Sequence, residues 1–144
     1  MTEESPAGFD PHAFFEIARK VGHGRALGLE FREAGDNWAE LSLPWREELV
    51  GVPETGVLAS GAIVSLIDTA SGTSVWITID RFTPVLPVDL RIDYLRPAMK
   101  GEPIIARCEC GKVTRKIAFV RGVAHGGDPS RPIALSAGTF MLNR

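Results

Sequence analysis

The amino-acid sequence predicts an α+β fold, in which a curved antiparallel sheet of about six strands wraps around one long central helix. Two observations lead to this prediction. Residues 57–77 read VLASGAIVSLIDTASGTSVWI and form a long apolar segment with one charged side chain, Asp68. Several other runs alternate apolar and polar residues, and short turns join most of them. Such runs pair as antiparallel strands, and an apolar helix is buried best by a sheet that curves around it.

The first elements predicted are a short helix and a hairpin. Residues 1–8 have the composition of a disordered tail. Asp10 and Pro11 are typical of a helix N-terminus, and apolar residues at helical spacing predict an amphipathic helix over residues 10–22, which two glycines end. From Ala26 to Leu43 the apolar residues recur at every second position, interrupted by a Gly-Asp-Asn turn, and this pattern predicts two paired strands.

A loop over residues 44–56 leads to the apolar segment, and a connection of this length is often functional. The segment is interpreted as a buried helix from about Ser60, because apolar residues surround most of its circumference. A stripe of small or polar residues runs along one face at helical spacing: Gly61, Ser65, Asp68 and Gly72. A membrane span is the alternative, but a central Asp costs about 2.5 to 3.5 kcal/mol there and no basic residues flank the segment, so no membrane association is expected.

The second half of the chain predicts an irregular crossover followed by four strands. The crossover covers residues 80–87, and the strands cover residues 88–95, 104–110, 116–124 and 132–142, with a turn at residues 125–131. Cys108 and Cys110 point to the same face of one strand, about 6.5 to 7 Å apart, which is too far for easy bridging. They lack further ligands at zinc spacing. Buried, reduced thiols and no metal site are therefore expected.

The length and charge of the chain indicate how many domains it forms and which partners it is suited to bind. A chain of 144 residues fits one domain, here residues 1–144. The net charge is −2 and the Lys and Arg residues are scattered, which argues against a nucleic-acid partner, because phosphate binding needs a clustered cationic face. The acidic, polar first residues do not form a secretory signal, so a cytoplasmic location is expected. His12, His23 and His125 are interpreted as structural or solvent-exposed.

The start of the predicted central helix is the first candidate site. Backbone N–H groups at a helix N-terminus lack intrahelical partners and carry partial positive charge, so the terminus that follows residues 56–61 could hold an oxyanion. Asp68 lies about 10 to 12 Å further along the axis, too far to hydrogen-bond to them. Two structural alternatives remain open: Asp68 as a buried carboxylate capped by Thr69 or Ser71, and Ser60 as a simple N-cap.

Two short motifs resemble those of hotdog-fold acyl-CoA thioesterases of the phenylacetate-degradation (PaaI-like) type, over residues 25–142. The family shows an HGGxxxxLxDxA pattern and a later strand that ends in Leu-Arg-Pro-Ala. The matching positions here are Ala59-Ser60-Gly61, Leu66-Ile67-Asp68-Thr69-Ala70 and Leu95-Arg96-Pro97-Ala98. The resemblance implies that Asp68 is the catalytic base or nucleophile and that the amide of Ser60, with that of Gly61, polarises the thioester carbonyl. It also implies that the carboxylate acts across a dimer interface.

The sequence departs from the family at three polar positions. Ala59 replaces the usual His, Pro53 stands where many members have Asn, and Pro87 stands near a Ser or Thr of some members. Arg96 and Lys100 are candidates to contact the phosphates of coenzyme A. The full set of predicted substrate-binding residues comprises Gly56, Leu58, Ala59, Ser65, Pro87, Arg96 and Lys100.

Two hypotheses about function follow. The first is an acyl-CoA thioesterase that hydrolyses a small aromatic or medium-chain thioester to the free acid and coenzyme A, without a metal or a cofactor other than the coenzyme A of the substrate. The second, favoured by the three replaced positions, is a catalytically weak module that binds an acyl-CoA or related ligand. A homodimer or homotetramer is expected in either case, because one short helix cannot cover the apolar strand faces of the sheet.

Overall fold

The structure is a computed structural model, and it describes residues 8–143. Six strands form one antiparallel sheet: β1 (Glu30–Ala34), β2 (Trp38–Leu43), β5 (Val85–Tyr94), β6 (Ile104–Val113), β7 (Ile117–His125) and β8 (Pro132–Leu142). Their order across the sheet is β1–β2–β6–β7–β8–β5. The expected α+β architecture is confirmed. The predicted disordered tail lies outside the described residues, except for Gly8.

The long helix α3 (Ser60–Ile79) lies in the concave side of the sheet, as predicted. It packs most closely against β2 and β6, and also against β5, β7 and β8. Ten of its residues are buried, and Leu66, Ile67 and Ala70 are at most 1% exposed. By length and composition the helix would be long and apolar enough to cross a membrane, yet half of its residues are buried inside the protein. Its apolarity is that of a core helix enclosed by a sheet.

The N-terminal segment differs from the prediction. Helix α1 (Pro11–Ala18) begins as expected, because the Asp10 carboxylate accepts hydrogen bonds from the amides of His12 and Ala13. A second helix, α2 (Gly22–Leu27), occupies residues assigned to the first helix's end and to the first strand. Gly28 ends α2 in the left-handed conformation, with φ 74°. Strand β1 therefore begins at Glu30, four residues later than the alternation suggested, although the hairpin with β2 is confirmed.

The predicted loop over residues 44–56 contains regular structure. A single turn of 3-10 helix (Glu47–Leu49) leads into strand β3 (Val50–Val52), which pairs with the two-residue strand β4 (Val57–Leu58). This small hairpin ends directly before α3, and the Ala59 amide donates to the Leu49 carbonyl at 2.8 Å. The β3–β4 hairpin and this hydrogen bond thus hold the N-terminus of α3 in place.

Strand β5 begins three residues earlier than predicted and includes Pro87. It pairs with β8 and forms an edge of the sheet, where a proline costs no ladder hydrogen bond. A register shift between Pro87 and Asp89 marks a bulge at this point. Of the two prolines that predicted an irregular crossover, Pro84 therefore directly precedes this edge strand and Pro87 is its third residue.

Cys108 and Cys110 are buried and free, as predicted. The expectation of a partner subunit rests on apolar strand faces that one short helix cannot cover. The outer face of the sheet is not an apolar surface, because Arg107, Glu109 and Arg121 lie there beside Phe119 and Leu135. One group of exposed apolar side chains lies along β5 and just after it: Leu86, Val88, Tyr94 and Leu95.

Candidate active site

Asp68 opens into a cavity of about 360 Å³ that lies between the N-terminal helices and the middle of α3. Most of its lining is apolar or aromatic, and Asp68 is its only carboxylate among the described residues. Such a volume lies at the small end of the range for ligand pockets. The N-terminal segment contributes about half of the lining: Phe14, Phe15, Ala18, Arg19, Val21, His23, Gly24 and Leu29.

The Asp68 carboxylate is half-buried and accepts no hydrogen bond from residues 8–143. The Thr69 hydroxyl donates to the Ser65 carbonyl at 2.7 Å, and the buried Ser71 hydroxyl makes no hydrogen bond to Asp68. Neither therefore caps Asp68. Burial raises the pKa of Asp68 above its ordinary value of 3.8, because the charged form loses solvation. An uncompensated carboxylate of this kind is suited to accept a proton.

His23 is the residue of this cavity that sequence reasoning missed. Its Nε2 lies 2.9 Å from the Ser65 hydroxyl, and that hydroxyl also lies 3.2 Å from the Gly61 carbonyl, to which it donates. His23 is exposed, as expected, but it also borders the Asp68 cavity. The Gly-His-Gly sequence gave no sign of this contact, because it depends on the unexpected helix α2.

The N-terminus of α3 is open. Ser60 and Gly61 are exposed, and within residues 8–143 their backbone amides donate no hydrogen bond. A Cβ added to Gly61 would meet no atom within 4 Å, so the surface beside this residue is open. Ser60 also borders a second cavity of about 300 Å³, together with Leu58, Tyr94 and Arg96. These two amides can therefore accept an oxyanion from outside.

The structure keeps Ser60 and Asp68 apart, as predicted. They border different cavities and stand eight residues apart, which is about 12 Å along a helix. Of the predicted substrate-binding residues, Leu58 and Arg96 lie with Ser60, whereas Pro87 lies with Asp68. Ser65 reaches the Asp68 cavity through its contact with His23. Ala59 is the N-cap of α3 and contributes no side-chain hydrogen bond.

Arg96 and Lys100, the two residues predicted to contact phosphates, differ in how many interactions their charged groups already make. The Arg96 guanidinium donates to the carbonyls of Arg131 and Pro97 and pairs with Glu102 at 3.7 Å. Lys100 is exposed and its ammonium lies 6.0 Å from the centre of the Trp45 ring. Gly56 lies beneath it with φ 71°, where a Cβ would approach the Lys100 side chain to 2.8 Å. Close packing against Lys100 therefore explains why residue 56 is a glycine. Of the two cations, Lys100 is the one whose charged group is free to bind a phosphate.

The described residues offer no metal site, since no three His, Cys, Asp or Glu side chains among them lie together in a suitable way. The chemistry available to this part of the chain is that of a carboxylate base, two open amides and an apolar cavity. This combination suits the hydrolysis of a carbonyl compound with an apolar acyl group.

Comparison with known proteins agrees with this chemistry. A family model described as the thioesterase superfamily matches residues 55–133, which include both Ser60 and Asp68. The medium/long-chain acyl-CoA thioesterase YigI of Escherichia coli is 29% identical over 131 residues, covering 82% of this chain and 83% of YigI. A Pseudomonas aeruginosa protein of known structure is 37% identical, with a TM-score of 0.79, over 90% of this chain and 95% of that chain.

The phenylacetic acid degradation protein PaaI from Thermus thermophilus shares the fold. Its structure, that of a point mutant, superposes with a TM-score of 0.72 and 23% sequence identity, over 83% of this chain and 96% of that chain. The hotdog fold predicted from the two motifs is confirmed. The chain belongs to the thioesterase superfamily and is a thioester hydrolase with the PaaI-like hotdog fold.

Proposed function

We propose that this chain hydrolyses medium-chain acyl-CoA thioesters to the free acid and coenzyme A. The observation that carries the proposal is the Asp68 carboxylate, which is half-buried, has no hydrogen-bond partner in the described part of the chain and borders an apolar cavity. The medium- and long-chain specificity stated for YigI supports an aliphatic acyl group. A small aromatic acyl group, the other expectation from the sequence, is retained as an outcome of the test.

In the proposed reaction Asp68 acts as a general base toward water. As the water oxygen bonds to the thioester carbonyl carbon, one water proton passes to the Asp68 carboxylate. The negative charge that develops on the carbonyl oxygen is held by the amides of Ser60 and Gly61. The C–S bond then breaks, the coenzyme A sulfur takes the proton from Asp68, and the acid product releases its own proton to solvent.

We propose further that Asp68 works with the amides of a second subunit, because about 12 Å separates the two groups within one chain. The edge strand β5 supports this proposal. Its ladder hydrogen bonds are free on one side, and exposed apolar side chains accompany it, among them Leu86 at 61% and Val88 at 58%. Val64, between the two catalytic groups on α3, is 39% exposed. An edge strand with exposed apolar side chains is a surface that proteins cover.

In this assembly the acyl group would enter the Asp68 cavity and the coenzyme A portion would extend over the protein surface. Lys100 is the proposed contact for its phosphates, since the exposed ammonium has no ion pair among the described residues. Arg96 is proposed to shape the cavity beside Ser60 instead, because its guanidinium is already engaged.

A hydrolysis assay over straight-chain acyl-CoA substrates and phenylacetyl-CoA tests the proposal. We expect the highest kcat/KM for medium-chain substrates, and we expect EDTA, which removes the metal from zinc-dependent proteins, to leave the rate unchanged. Folded protein that hydrolyses none of these substrates would contradict the proposal and would favour the binding module. A preference for phenylacetyl-CoA over every aliphatic substrate would replace the acyl assignment with the aromatic one.

A further inference from the structure

We propose that two residues of α3 determine the acyl-chain length that the enzyme prefers. Gly72 leaves space for the acyl chain, and Trp76 closes the end of the cavity. This inference rests on the proposed function, since it assigns the Asp68 cavity to the acyl group. Asp68, Gly72 and Trp76 all line that cavity and follow one another at intervals of four residues along α3. They therefore share one face of the helix, about 6 Å apart along its axis.

Gly72 keeps open a space that a side chain could fill. It is buried, yet a Cβ added to it would meet only Val85 Cγ2, at 4.0 Å. An alanine methyl group would thus fit without a clash. Glycine inside a helix is less favourable than alanine, so the protein is less stable with Gly72 than it would be with alanine there. Since packing does not require the glycine, the open space itself is the feature that it provides.

Trp76 is held firmly enough to act as a wall. Its indole N–H donates to the Thr83 carbonyl at 2.7 Å, and its ring packs against Phe14 at 5.2 Å and Phe82 at 4.8 Å between ring centres. Phe14 also lines the cavity and belongs to α1. The N-terminal helices and α3 therefore close the cavity together at the end farther from the amides of Ser60 and Gly61.

The distance from Asp68 to Trp76 sets the length of the acyl chain. Eight residues of helix span about 12 Å, which matches an extended chain of about eight to ten carbon atoms with C–C bonds of about 1.5 Å. A longer chain would meet the indole of Trp76. Gly72 lies halfway along this path, so a side chain there would block the outer half of the cavity.

The test compares kcat/KM across even-numbered acyl-CoA substrates for wild type, Gly72→Ala, Gly72→Leu and Trp76→Leu. We expect the ratio of octanoyl-CoA to butyryl-CoA turnover to fall about tenfold in Gly72→Ala, as when one methyl group is misplaced in an apolar pocket, and further in Gly72→Leu. Trp76→Leu should move the optimum to longer chains. Gly72→Ala should also raise Tm, so a loss of activity by unfolding is excluded for that variant.

Ser71→Ala is the matched control. It removes a buried hydroxyl next to Gly72 but outside the cavity, so it should leave the chain-length profile unchanged. An unchanged profile in both Gly72 variants, with active wild type, would overturn the inference and leave the thioesterase assignment intact. A wild-type protein inactive on all acyl-CoA substrates would instead contradict the proposed function.

Discussion

Replacing Asp68 with Asn should lower kcat for acyl-CoA hydrolysis by about 10² to 10⁴, the usual contribution of a general base. Asparagine has nearly the size of aspartate but cannot accept the water proton. The carboxylate makes no hydrogen bond with the described residues, so its replacement leaves no partner unpaired. The variant should therefore fold normally and still bind acyl-CoA.

The same variant should be at least as stable as wild type at pH 7. Because burial raises the pKa of Asp68 in the folded state above 3.8, the folded protein keeps a proton that the unfolded chain has released. Stability of the wild type therefore falls as the pH rises from about 3.8 through the raised pKa. The asparagine side chain does not titrate, so the advantage of the variant should disappear below pH 3.8. The acid limb of wild-type kcat/KM should likewise lie above that value.

Thermal unfolding and hydrolysis measured on one preparation decide between a catalytic and a structural carboxylate. Asp36→Asn, an exposed change in the turn between β1 and β2, is the control and should retain wild-type turnover and stability. If Asp68→Asn melted at a lower temperature than wild type and kept its turnover per folded molecule, Asp68 would be structural and the mechanism would be wrong.

Replacing Ser60 with Pro should lower kcat by about 10² to 10³, the usual cost of losing one oxyanion-hole donor. Proline removes the Ser60 backbone N–H, which donates to no other group in the described part of the chain. The fold should tolerate the change for two reasons. Ser60 is the first residue of α3, where proline is common, and Ala59 has φ −62° and ψ 136°, a conformation that a following proline permits.

Ser60→Ala separates the amide from the hydroxyl. It keeps the backbone N–H and removes only the side-chain oxygen, so near-wild-type turnover is expected. Comparable losses in Ser60→Ala and Ser60→Pro would assign the effect to the hydroxyl, and full activity of a folded Ser60→Pro variant would remove this amide from the mechanism. Circular dichroism of both variants checks that α3 is retained.

Much of the fold could be predicted because its signals are local. The apolar run from Val57 to Ile77 predicts the central helix, and the alternation of apolar and polar residues predicts the strands. The errors arose in short elements whose local signals are weak. Helix α2 occupies residues whose alternation suggested a strand, and the β3–β4 hairpin lies in a stretch rich in Pro and Gly.

The candidate site was only partly accessible from sequence. The spacing of Asp68 from Ser60 could be read from the helix period, and the structure places both where that period predicts. The contact between His23 and Ser65 joins residues 42 positions apart, so no local pattern could reveal it. The same applies to the N-terminal side of the cavity, which depends on how α1 and α2 pack against α3.

The subunit-sharing site, the central feature of the proposed mechanism, can be tested by mixing two inactive variants. Asp68→Asn and Ser60→Pro proteins, only one of them carrying an affinity tag, would be combined under conditions that exchange subunits. Capture of the untagged subunit with the tagged one then verifies mixed dimers. If each site takes Asp68 from one subunit and the Ser60 amide from the other, every mixed dimer regains one intact site. The mixture should then recover about a quarter of wild-type activity at random exchange in a two-fold dimer. No recovery in verified mixed dimers would show that both groups act within one chain, and would contradict the mechanism.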